Sequence, residues 1–212
     1  MRNTFDRFNG RHQDYQAARP SYAQEFLDWL GELYAPPERY TAADIGSGTG
    51  KLSAQLLAAG FRVCGVEPNP DMRGAAEALL GGDPRFSSSN GTDHDTGLPD
   101  RSVDMVAAAQ AFHWFDGPAF ARECRRILRP GGRAVLVWNV RGSAPMNQAL
   151  AQVFREHCPS FHGFTGGMGE DDPRIRDFFG GAYEKRRFPN PLTLDRDQFL
   201  RRCFSSSYAL RE

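Results

Sequence analysis

The fold is decided by the sequence Ala42-Ala43-Asp44-Ile45-Gly46-Ser47-Gly48-Thr49-Gly50. A short apolar run ends in an acid, Asp44, and glycines follow at positions 46, 48 and 50. A helical pattern begins directly afterwards, with Leu52 and Leu56 four residues apart. Glycine takes positive φ easily and lets a ligand lie on the backbone, and the first N–H groups of a helix have no partner within it. The stretch therefore predicts a strand, a tight ligand-binding turn and a helix.

A second strand follows at residues 62–66 and ends in another acid, Glu67. An acid at the end of the second strand of a βαβ unit is where a ribose is held, with its hydroxyls donating to the carboxylate. The glycine spacing is G-x-G-x-G, whereas a dinucleotide turn has G-x-G-x-x-G. Lys51 is followed by Leu52 and not by the serine or threonine of a P-loop. The ligand is therefore expected to contain a nucleoside.

With an acid two residues before the first glycine, the motif resembles the acid-x-G-x-G-x-G motif of class I S-adenosylmethionine-dependent methyltransferases. The resemblance implies that the turn lies along the methionine part of S-adenosylmethionine and that Glu67 binds its ribose. A sulfonium and an ammonium suit a turn that carries Asp44 better than a pyrophosphate does. The residues that we expect to bind the cofactor are Arg19, Asp44, Gly46, Ser47, Gly48, Glu67, Pro68, Asn69, Thr92, Asp93 and Gln110.

The N-terminal stretch Tyr15-Gln-Ala-Ala-Arg19-Pro20-Ser-Tyr22 is rich in aromatic residues for a polar tail. Either Tyr15 and Tyr22 fasten an arm to the domain, or the arm closes over the cofactor. In the second interpretation Arg19 binds a carboxylate, of the cofactor or of a substrate. The stretch resembles one branch of small-molecule methyltransferases, related to trans-aconitate methyltransferase, and that resemblance favours the second interpretation.

Residues 91–99 correspond to the loop that binds the adenine in the family that the motif resembles. Thr92 occupies the position of the adenine acceptor and Asp93 follows it, but His94 and Asp95 depart from the usual sequence. Which of these acids contacts the adenine is therefore open. Asn69 is expected beside the adenine, while Met72 either packs on the ring or belongs to the core. No metal site is expected, because adjacent side chains in this loop diverge.

The segment after the predicted fourth strand reads Gln110-Ala-Phe112-His113-Trp114-Phe115. It follows the carboxyl end of a strand beside the topological switch point, where open α/β sheets bind ligands. Phe112, Trp114 and Phe115 are expected to form an apolar wall around the methyl group. His113 is either a general base for a hydroxyl, thiol or amine acceptor, or it orients the loop. A carboxylate acceptor needs no base. The expected substrate-side residues are Tyr15, Tyr22, Phe112, His113 and Trp114.

The periodicity predicts an α/β fold, with a doubly wound, mostly parallel Rossmann-like sheet and helices on both faces. Helices are expected over 23–33, 52–59, 118–128, 145–157 and 195–202, and residues 68–72 are expected to open a further helix that runs to about Leu80. After the first strand, strands are expected over 62–66, 86–90, 102–109 and 133–139. The fifth strand is expected to be buried and to follow a sharp turn at 129–132. A sixth strand at 182–188 is an open alternative.

The last strand of the class I sheet, which is antiparallel, has no convincing counterpart after Arg202. We therefore hypothesise a shortened form that lacks this strand and exposes the edge of the fifth strand. If residues 182–188 fill that edge instead, the sheet is simply smaller.

The chain is expected to be a single methyltransferase domain, 1–212. Residues 1–38 would form an N-terminal arm and helix, 39–140 the cofactor-binding core, and 141–212 the substrate side. Residues 159–173 are either a substrate lid or a plain surface loop.

Composition limits the partners that we expect. Basic and acidic residues balance at 26 each, so no net field favours nucleic acid or an anionic membrane. Four cysteines without a C-x-x-C pair are expected to be buried thiols. The polar N-terminus and the absence of an 18-residue apolar run predict a cytoplasmic protein. The partner is expected to be a small-molecule substrate, and the protein a monomer or homodimer.

The sequence thus predicts methyl transfer from S-adenosylmethionine to an oxygen, nitrogen, sulfur or carboxylate oxygen of a small molecule. The alternative is a catalytically silent protein that binds S-adenosylmethionine or S-adenosylhomocysteine. A dinucleotide-binding oxidoreductase is disfavoured by the G-x-G-x-G spacing and by the lack of a Tyr-x-x-x-Lys pair. The acceptor itself is not indicated, because its pocket would be built from variable loops.

Overall fold

The computed structural model describes residues 20–142, 144–164 and 168–204. Its centre is a five-stranded sheet in the order β3-β2-β1-β4-β5. The strands are β1 Thr41–Ile45, β2 Arg62–Val66, β3 Phe86–Ser89, β4 Val103–Ala109 and β5 Leu128–Val137. The helices in the described residues are α1 Gln24–Leu33, α2 Lys51–Ala58, α3 Pro70–Leu80, α4 Gly117–Ile127, α5 Pro145–His157, α6 Pro173–Phe178 and α7 Arg196–Phe204. Short 3-10 helices cover Pro37–Arg39 and Phe112–Trp114.

Every strand pair in the described sheet is parallel, and the strand order reverses between β1 and β4. Asp44 is aligned with Gly65 of β2 on one side and with Ala107 of β4 on the other. The chain leaves β1 towards β2 and β3, and later returns to build β4 and β5 on the opposite side. The predicted doubly wound topology is confirmed, and its switch point lies at the carboxyl ends of β1 and β4.

The two faces of the sheet carry separate cores, because successive strand residues point to opposite sides. Ala42 faces a cluster that includes Leu30 of α1 and Leu56 of α2. Ala43 faces a cluster that includes Phe120 of α4 and Phe178 of α6. Each large apolar side chain that is fully buried in this way stabilises the fold by about 1.5–3 kcal/mol. Helices therefore cover both faces, as predicted.

Helix α4 shows how the local pattern positions an element. Its start is capped by Asp116, whose carboxylate accepts the Ala119 N–H at 3.0 Å. Phe120, Cys124 and Ile127 recur at helical spacing and are buried against the sheet. Arg122 and Arg125 are exposed on the outer side of the helix, and Arg126 forms an ion pair with Asp100 at 2.7 Å.

Strand β5 differs from the prediction of a buried fifth strand. It begins at Leu128, before the predicted turn, and most of its residues are exposed or half-buried. The register with β4 runs from Val103 opposite Leu128 to Met105 opposite Arg133, so the predicted turn is a bulge inside the strand. Within the described residues β5 has one neighbouring strand, β4, and therefore forms an edge of the sheet.

The open alternative of a sixth strand at residues 182–188 is wrong, since this segment has no strand structure. The Phe188 ring instead packs against helix α1, with its centroid 5.8 Å from that of Phe26 and 5.9 Å from that of Trp29. The Arg186 guanidinium lies 5.1 Å from the centre of the Trp29 ring. Two side chains of this segment, Phe188 and Arg186, thus pack on a helix rather than in a sheet. The described residues up to 204 contain no antiparallel strand.

The C-terminal part adds a small third cluster. Phe154 of α5 packs with Phe161 and with Cys203 of α7. Cys64, Cys124, Cys158 and Cys203 are all free and buried, as expected. Among the described helices, none has both the length and the apolar character needed to cross a membrane.

Candidate functional site

The glycine turn between β1 and α2 has three positive φ angles: 68° at Gly46, 57° at Gly48 and 80° at Gly50. A Cβ at Gly46 would lie 2.8 Å from the Ala111 Cβ, so this glycine is required by close packing. A Cβ at Gly48 would meet no heavy atom within 4 Å, so this glycine leaves open space beside the backbone. The Gly46 N–H donates to the Val66 carbonyl at 2.8 Å and fixes the turn against β2.

Asp44 at the end of β1 is fully buried. Its Oδ2 accepts a hydrogen bond from the Ser53 hydroxyl at 2.7 Å, whereas its Oδ1 has no hydrogen-bond partner among the described residues. Burial raises the pKa of the Asp44 carboxyl to about 6, and the nearby Glu67 charge acts in the same direction. The site thus holds a carboxylate with an unused oxygen, which a bound cation would stabilise.

Thr49, inside the glycine motif, is a second buried polar residue whose side-chain oxygen has no partner among the described residues. Its side chain is 1% exposed. A buried polar group without a partner costs about 1–3 kcal/mol unless a ligand satisfies it. Thr49 is not among the residues predicted from the sequence, because nothing in the motif distinguishes it from a surface threonine.

Glu67 at the end of β2 bridges the two loops of the βαβ unit. Its Oε2 accepts the Gly48 N–H at 2.9 Å and its Oε1 accepts the Asn69 N–H at 2.9 Å. Burial raises the pKa of Glu67, and these two hydrogen bonds oppose that rise. Each carboxylate oxygen keeps a further lone pair. The carboxylate is therefore held beside the glycine turn with acceptor capacity to spare.

The loop from β2 to α3 is fixed from within. The Asn69 side chain accepts the Met72 N–H at 3.0 Å and caps α3. Met72 is 3% exposed. Of the two alternatives for this residue, packing on the adenine or belonging to the core, its burial fits the second. Arg73, which the sequence reasoning missed, donates to the Glu67 carbonyl at 2.8 Å, to the Pro68 carbonyl at 3.3 Å and to the Asn90 side chain at 3.1 Å. An arginine on a helix gives no local sign of such a role.

The loop over residues 91–99 makes its contacts mainly to itself and to α4. The Thr92 N–H donates to the Asp95 carbonyl at 2.8 Å, and the Thr92 hydroxyl accepts the Asp95 N–H at 3.1 Å. Asp93 Oδ2 accepts the Asp116 N–H at 3.0 Å, and its Oδ1 lies 3.1 Å from His94 Nδ1. Both residues predicted to contact the adenine are thus engaged in shaping the loop.

An ion pair between the buried Glu123 and the half-buried Arg126 holds the end of this loop. The Thr96 hydroxyl and N–H donate to Glu123 Oε1 at 2.6 and 2.9 Å. Arg126 donates to both oxygens of the same carboxylate, at 2.7 and 2.8 Å. Burial alone would raise the pKa of Glu123, but the bonds from Arg126 and Thr96 outweigh it and lower the pKa to about 2. This contact joins residues 27 positions apart, so no local pattern reveals it.

The segment after β4 divides into a part near the glycine turn and a part in the core. Gln110 has φ 57°, unusual for a residue with a Cβ, and its N–H donates to the Val137 carbonyl at 2.9 Å. Phe112 is 2% exposed and its ring centroid lies 5.1 Å from that of Phe178. The structure thus places Phe112 in the core. His113 lies against Trp114, with ring centroids 4.8 Å apart, and Trp114 is 39% exposed.

A cavity of about 70 Å³ lies beside the glycine turn, at the switch point of the sheet. Its lining residues are Pro20, Tyr22, Asp44, Gly46, Ser47, Gly48, Thr49, Lys51, Leu52, Ala109, Gln110, Asn139, Arg141, Phe164 and Arg202. Of the predicted site residues, it brings together Tyr22, Asp44, Gly46, Ser47, Gly48 and Gln110. The predicted residues that do not line it are Glu67, Pro68, Asn69, Thr92, Asp93, Phe112, His113 and Trp114. Tyr15 and Arg19 lie outside the described residues.

The first described residues, 20–22, are held beside this cavity, which Pro20 and Tyr22 line. The Tyr22 N–H donates to Gln55 Oε1 at 2.9 Å, and Gln55 donates back to the Tyr22 carbonyl at 3.0 Å. The Ser21 carbonyl accepts from Asn190 at 2.8 Å and from Asn139 at 3.2 Å. Asn190 also donates to Asn139 Oδ1 at 2.8 Å. Helix α2, the end of β5 and the segment before α7 therefore all hold this short stretch.

Comparison with known proteins agrees with this geometry. The model of a family described as "Methyltransferase domain" matches residues 43–136. An uncharacterised methyltransferase of Mycobacterium tuberculosis is 42% identical over 127 residues, which are 60% of this chain and 49% of the relative. An uncharacterised methyltransferase of Schizosaccharomyces pombe is 31% identical over 147 residues, 68% of this chain and 57% of the relative. The chain spans about half the length of the curated relatives that it matches.

Solved structures extend the likeness beyond the cofactor core. A protein of Anaeromyxobacter dehalogenans described as a type II methyltransferase is 33% identical, with a TM-score of 0.53 over 83% of this chain and 70% of that chain. A Methanococcus maripaludis protein shares the fold, with 21% identity and a TM-score of 0.61 over 85% of both chains. The chain belongs to the class I S-adenosylmethionine-dependent methyltransferases. The resemblance to the trans-aconitate branch stays a prediction.

Proposed function

We propose that this protein transfers the methyl group of S-adenosylmethionine to a small-molecule acceptor. The observation that carries the proposal is the buried Asp44, whose Oδ1 has no partner in the described chain and which lines a cavity at the switch point. Such a carboxylate suits a cationic ligand, and S-adenosylmethionine carries both a sulfonium and an ammonium.

The residues around the turn fit this cofactor. The open space beside Gly48 admits a ligand against the backbone, and the Thr49 hydroxyl offers a further polar contact. Glu67 would accept the ribose hydroxyls with its remaining lone pairs. The roles of Arg19, Ser47, Pro68, Asn69, Thr92, Asp93 and Gln110 in holding the cofactor remain part of the proposal.

When bound, S-adenosylmethionine supplies a methyl group on a positively charged sulfur, which is a good leaving group for in-line displacement. The chain's own contribution is to hold the acceptor close and to exclude water. Tyr22, near the start of the described chain, and Gln110, after β4, both line the cavity in which the methyl transfer is proposed to take place. His113 does not line the cavity, so we assign the rate acceleration mainly to positioning. Its role as a general base stays a prediction.

A silent cofactor-binding protein is the second candidate. It is favoured by the engagement of Thr92 and Asp93 in loop contacts and by the placement of Phe112 in the core. The balanced charge of the chain supports a small-molecule acceptor over nucleic acid. A cytoplasmic location and a monomeric or homodimeric state stay predictions.

The first test is thermal unfolding with S-adenosylmethionine, S-adenosylhomocysteine and NAD. A ligand at a hundred times its Kd stabilises the fold by about 2.7 kcal/mol, which raises Tm by roughly 5 to 10 °C for a chain of this size. We expect a rise with both S-adenosyl compounds and none with NAD. A rise with NAD alone would instead indicate a dinucleotide site.

The Glu67→Gln variant tests the ribose contact. An amide cannot accept both backbone N–H groups and ribose hydroxyls. We therefore expect the binding free energy of S-adenosylhomocysteine to weaken by roughly 1–3 kcal/mol. Glu77→Gln is the matched control, since Glu77 lies exposed on α3 and pairs only loosely with Arg73, at 3.8 Å. Equal affinity of the two variants by isothermal titration calorimetry would refute the role of Glu67.

A further inference from the structure

The strands of the sheet all begin beside an arginine. Parallel strands have their starts on one edge, which lies opposite the edge that carries the glycine turn and the cavity. We call it the amino edge. Neighbouring strands lie about 4.8 Å apart, so this edge is roughly 20 Å long. From β3 across to β5, the arginines within two residues of a strand start are Arg85, Arg62, Arg39, Arg101 and Arg129.

Backbone hydrogen bonds show that members of this row are neighbours. The Arg62 N–H donates at 3.1 Å to the carbonyl of Tyr40, the residue after Arg39. The Val63 N–H, next to Arg62, donates to the Arg85 carbonyl at 2.9 Å. The sheet itself therefore sets the spacing of the arginines, because each one lies at the start of a different strand.

Two arginines of the row are neutralised by acids of the same edge. Arg85 lies 2.7 Å from Asp83 Oδ2, and Arg129 lies 2.7 Å from Asp104 Oδ2. Both acids lie at or near a strand start, like their partners. These two ion pairs leave little net charge at their positions, so we do not count them towards an anion site.

Four other arginines at the amino edge are unpaired. Each is exposed and forms no ion pair with a residue that the structure describes: Arg39, Arg62, Arg101 and Arg133. Arg133 lies in β5 opposite Met105, near the start of β4. Glu38 is exposed beside Arg39 and offsets part of the charge. Since basic and acidic residues balance at 26 each in the whole chain, the excess is local, and it favours an anionic partner.

A buried hydroxyl beside this row provides a second, independent observation. Tyr34, directly after α1, is 6% exposed, and its hydroxyl forms no hydrogen bond within the described chain. Burial raises the pKa of Tyr34 to about 12, the charge of Arg133 opposes that rise, and the charge of Asp104 adds to it. The hydroxyl therefore stays protonated at neutral pH and lies within electrostatic reach of Arg133. An unused O–H donor next to an unpaired guanidinium suits an oxygen atom of an anion.

The arrangement favours one kind of anion. A guanidinium fork and a hydroxyl both donate to phosphate oxygens, and a row of cations matches a linear chain with one charge on every unit better than a folded acidic protein. Tyr40, a half-buried residue between Arg39 and Thr41, adds a ring on which an unpaired base can stack. We infer that the amino edge docks a single-stranded nucleic acid. Arg133 and Tyr34 bind one phosphate, and the other three unpaired arginines bind its neighbours.

This docking partner is distinct from the methyl acceptor. The five residues of β1 span roughly 16 Å, and the cavity lies beyond their carboxyl end. None of the unpaired arginines lines the cavity, and neither does Tyr34. A nucleic acid on the amino edge therefore holds the protein in place without entering the candidate site. The inference does not rest on the proposed methyl transfer.

The test is fluorescence anisotropy of a fluorescein-labelled thymidine 20-mer, which forms little internal structure. The full chain is titrated into it at NaCl concentrations between about 50 and 200 mM. We expect a Kd below about 100 µM at the lowest salt concentration. The slope of log Kobs against log salt should be about −3, because each of four neutralised phosphates of a single strand contributes about −0.7.

Removing charge from the amino edge gives the main comparison. A triple variant, Arg39→Gln, Arg62→Gln and Arg101→Gln, should bind the 20-mer at least tenfold more weakly than the unmodified chain. Its salt slope should shrink to about −1, since one phosphate contact remains. An unchanged slope would overturn the inference.

The matched control removes the same charge elsewhere. It combines Arg155→Gln on α5 with Arg196→Gln and Arg201→Gln on α7, all three of them exposed arginines. Its Kd for the 20-mer should stay within about threefold of that of the unmodified chain. Equal losses in the two triple variants would mean that only overall charge matters, which also overturns the inference.

Tyr34→Phe tests the phosphate anchor without changing any charge. The hydroxyl has no partner in the described fold, so its removal should leave Tm unchanged or raise it. Affinity for the 20-mer should fall about three- to tenfold, the effect of one lost hydrogen bond. Full affinity in this variant would refute the phosphate site at Tyr34 and Arg133.

Other anions separate the classes of partner. Vesicles of phosphatidylcholine and phosphatidylserine in equal parts, and labelled polyglutamate, are titrated at the lowest salt concentration. Binding of either one without binding of the 20-mer would overturn the inference, as would no binding of the 20-mer at about 100 µM protein. The Kd for S-adenosylhomocysteine should stay within about threefold in every variant. Failure of the docking surface and failure of the proposed function are therefore measured separately.

Discussion

The three glycines of the turn differ in what surrounds them, and substitution by alanine separates their roles. Gly46→Ala combines positive φ with a contact of 2.8 Å to the Ala111 Cβ, so we expect a loss of about 2–4 kcal/mol in unfolding free energy. Gly48→Ala meets positive φ alone and should cost about 1–2 kcal/mol. Urea unfolding of both variants measures the difference.

The order is expected to reverse for ligand binding. The added methyl group at position 48 projects into the open space where we place the cofactor. Gly48→Ala should therefore lose more affinity for S-adenosylhomocysteine than Gly46→Ala does. Unchanged affinity in Gly48→Ala would contradict the placement of the ligand along the turn.

Asp44 predicts a pH dependence with a defined sign. Its pKa lies near 6 in the folded chain against an ordinary value of 3.8, so the folded state holds this proton more tightly. Its contribution to stability therefore falls as pH rises from about 4 to 6, by about 3 kcal/mol in total. Asp44→Asn removes the buried charge and should be more stable than the unmodified chain above pH 6, by at most that amount. Below pH 4 the two should converge.

The same substitution removes the charge that we assign to the cofactor's ammonium. Asp44→Asn should therefore bind S-adenosylhomocysteine at least tenfold more weakly at pH 8 while being more stable without ligand. Thermal unfolding across pH 4–8 and calorimetric titration measure the two effects. A variant that loses stability at pH 8 would show that the Asp44 charge is compensated by contacts within the fold.

At the scale of elements, three segments meet at the Ser21 carbonyl. Asn139 after β5 and Asn190 before α7 both donate to it, and they bond to each other at 2.8 Å. We expect Asn139→Ala and Asn190→Ala each to cost about 0.5–1.5 kcal/mol in unfolding free energy. Since they share one network, the double variant should lose less than the sum, with a coupling of at least 0.5 kcal/mol.

Asn147→Ala is a control for that cycle, since the bond of its side chain within the described residues is local, to the Gly142 carbonyl at 2.9 Å. Combined with Asn190→Ala it should show additive losses in urea unfolding. Additive losses for Asn139 and Asn190 as well would mean that the two asparagines do not act together.

At the scale of the molecule, the candidate site draws on segments far apart in the chain. The cavity joins residues 20–22, the glycine turn, Gln110 and the C-terminal wall around Arg202. Hydrogen exchange with S-adenosylhomocysteine should therefore slow in peptides over 44–52, 66–69 and 20–22 together. Helix α6 over 173–178 contributes no residue to the lining of the cavity and serves as the internal control. Protection confined to one segment would contradict a shared site.

The sequence by itself determined the elements whose signals are local. Alternation and helical spacing place β2 over Arg62–Val66 and α5 over Pro145–His157, where the structure has them. The glycine motif and the acid Glu67 come from one βαβ unit, so they lie close in the chain as well as in space. Their contact, from the Gly48 N–H to the Glu67 carboxylate, could therefore be anticipated from order and spacing.

Only the tertiary structure decided contacts between distant residues. An apolar run such as β5 looks the same at an edge as in the middle of a sheet, and the Phe188 segment packs on α1 although its pattern also fits a strand. Phe112 enters the core, and Thr96 bonds Glu123, because of which elements pack together. The chain's periodicity encodes which face of an element is buried. It does not encode which distant side chain meets that face, and that choice shapes the wall of the candidate acceptor site.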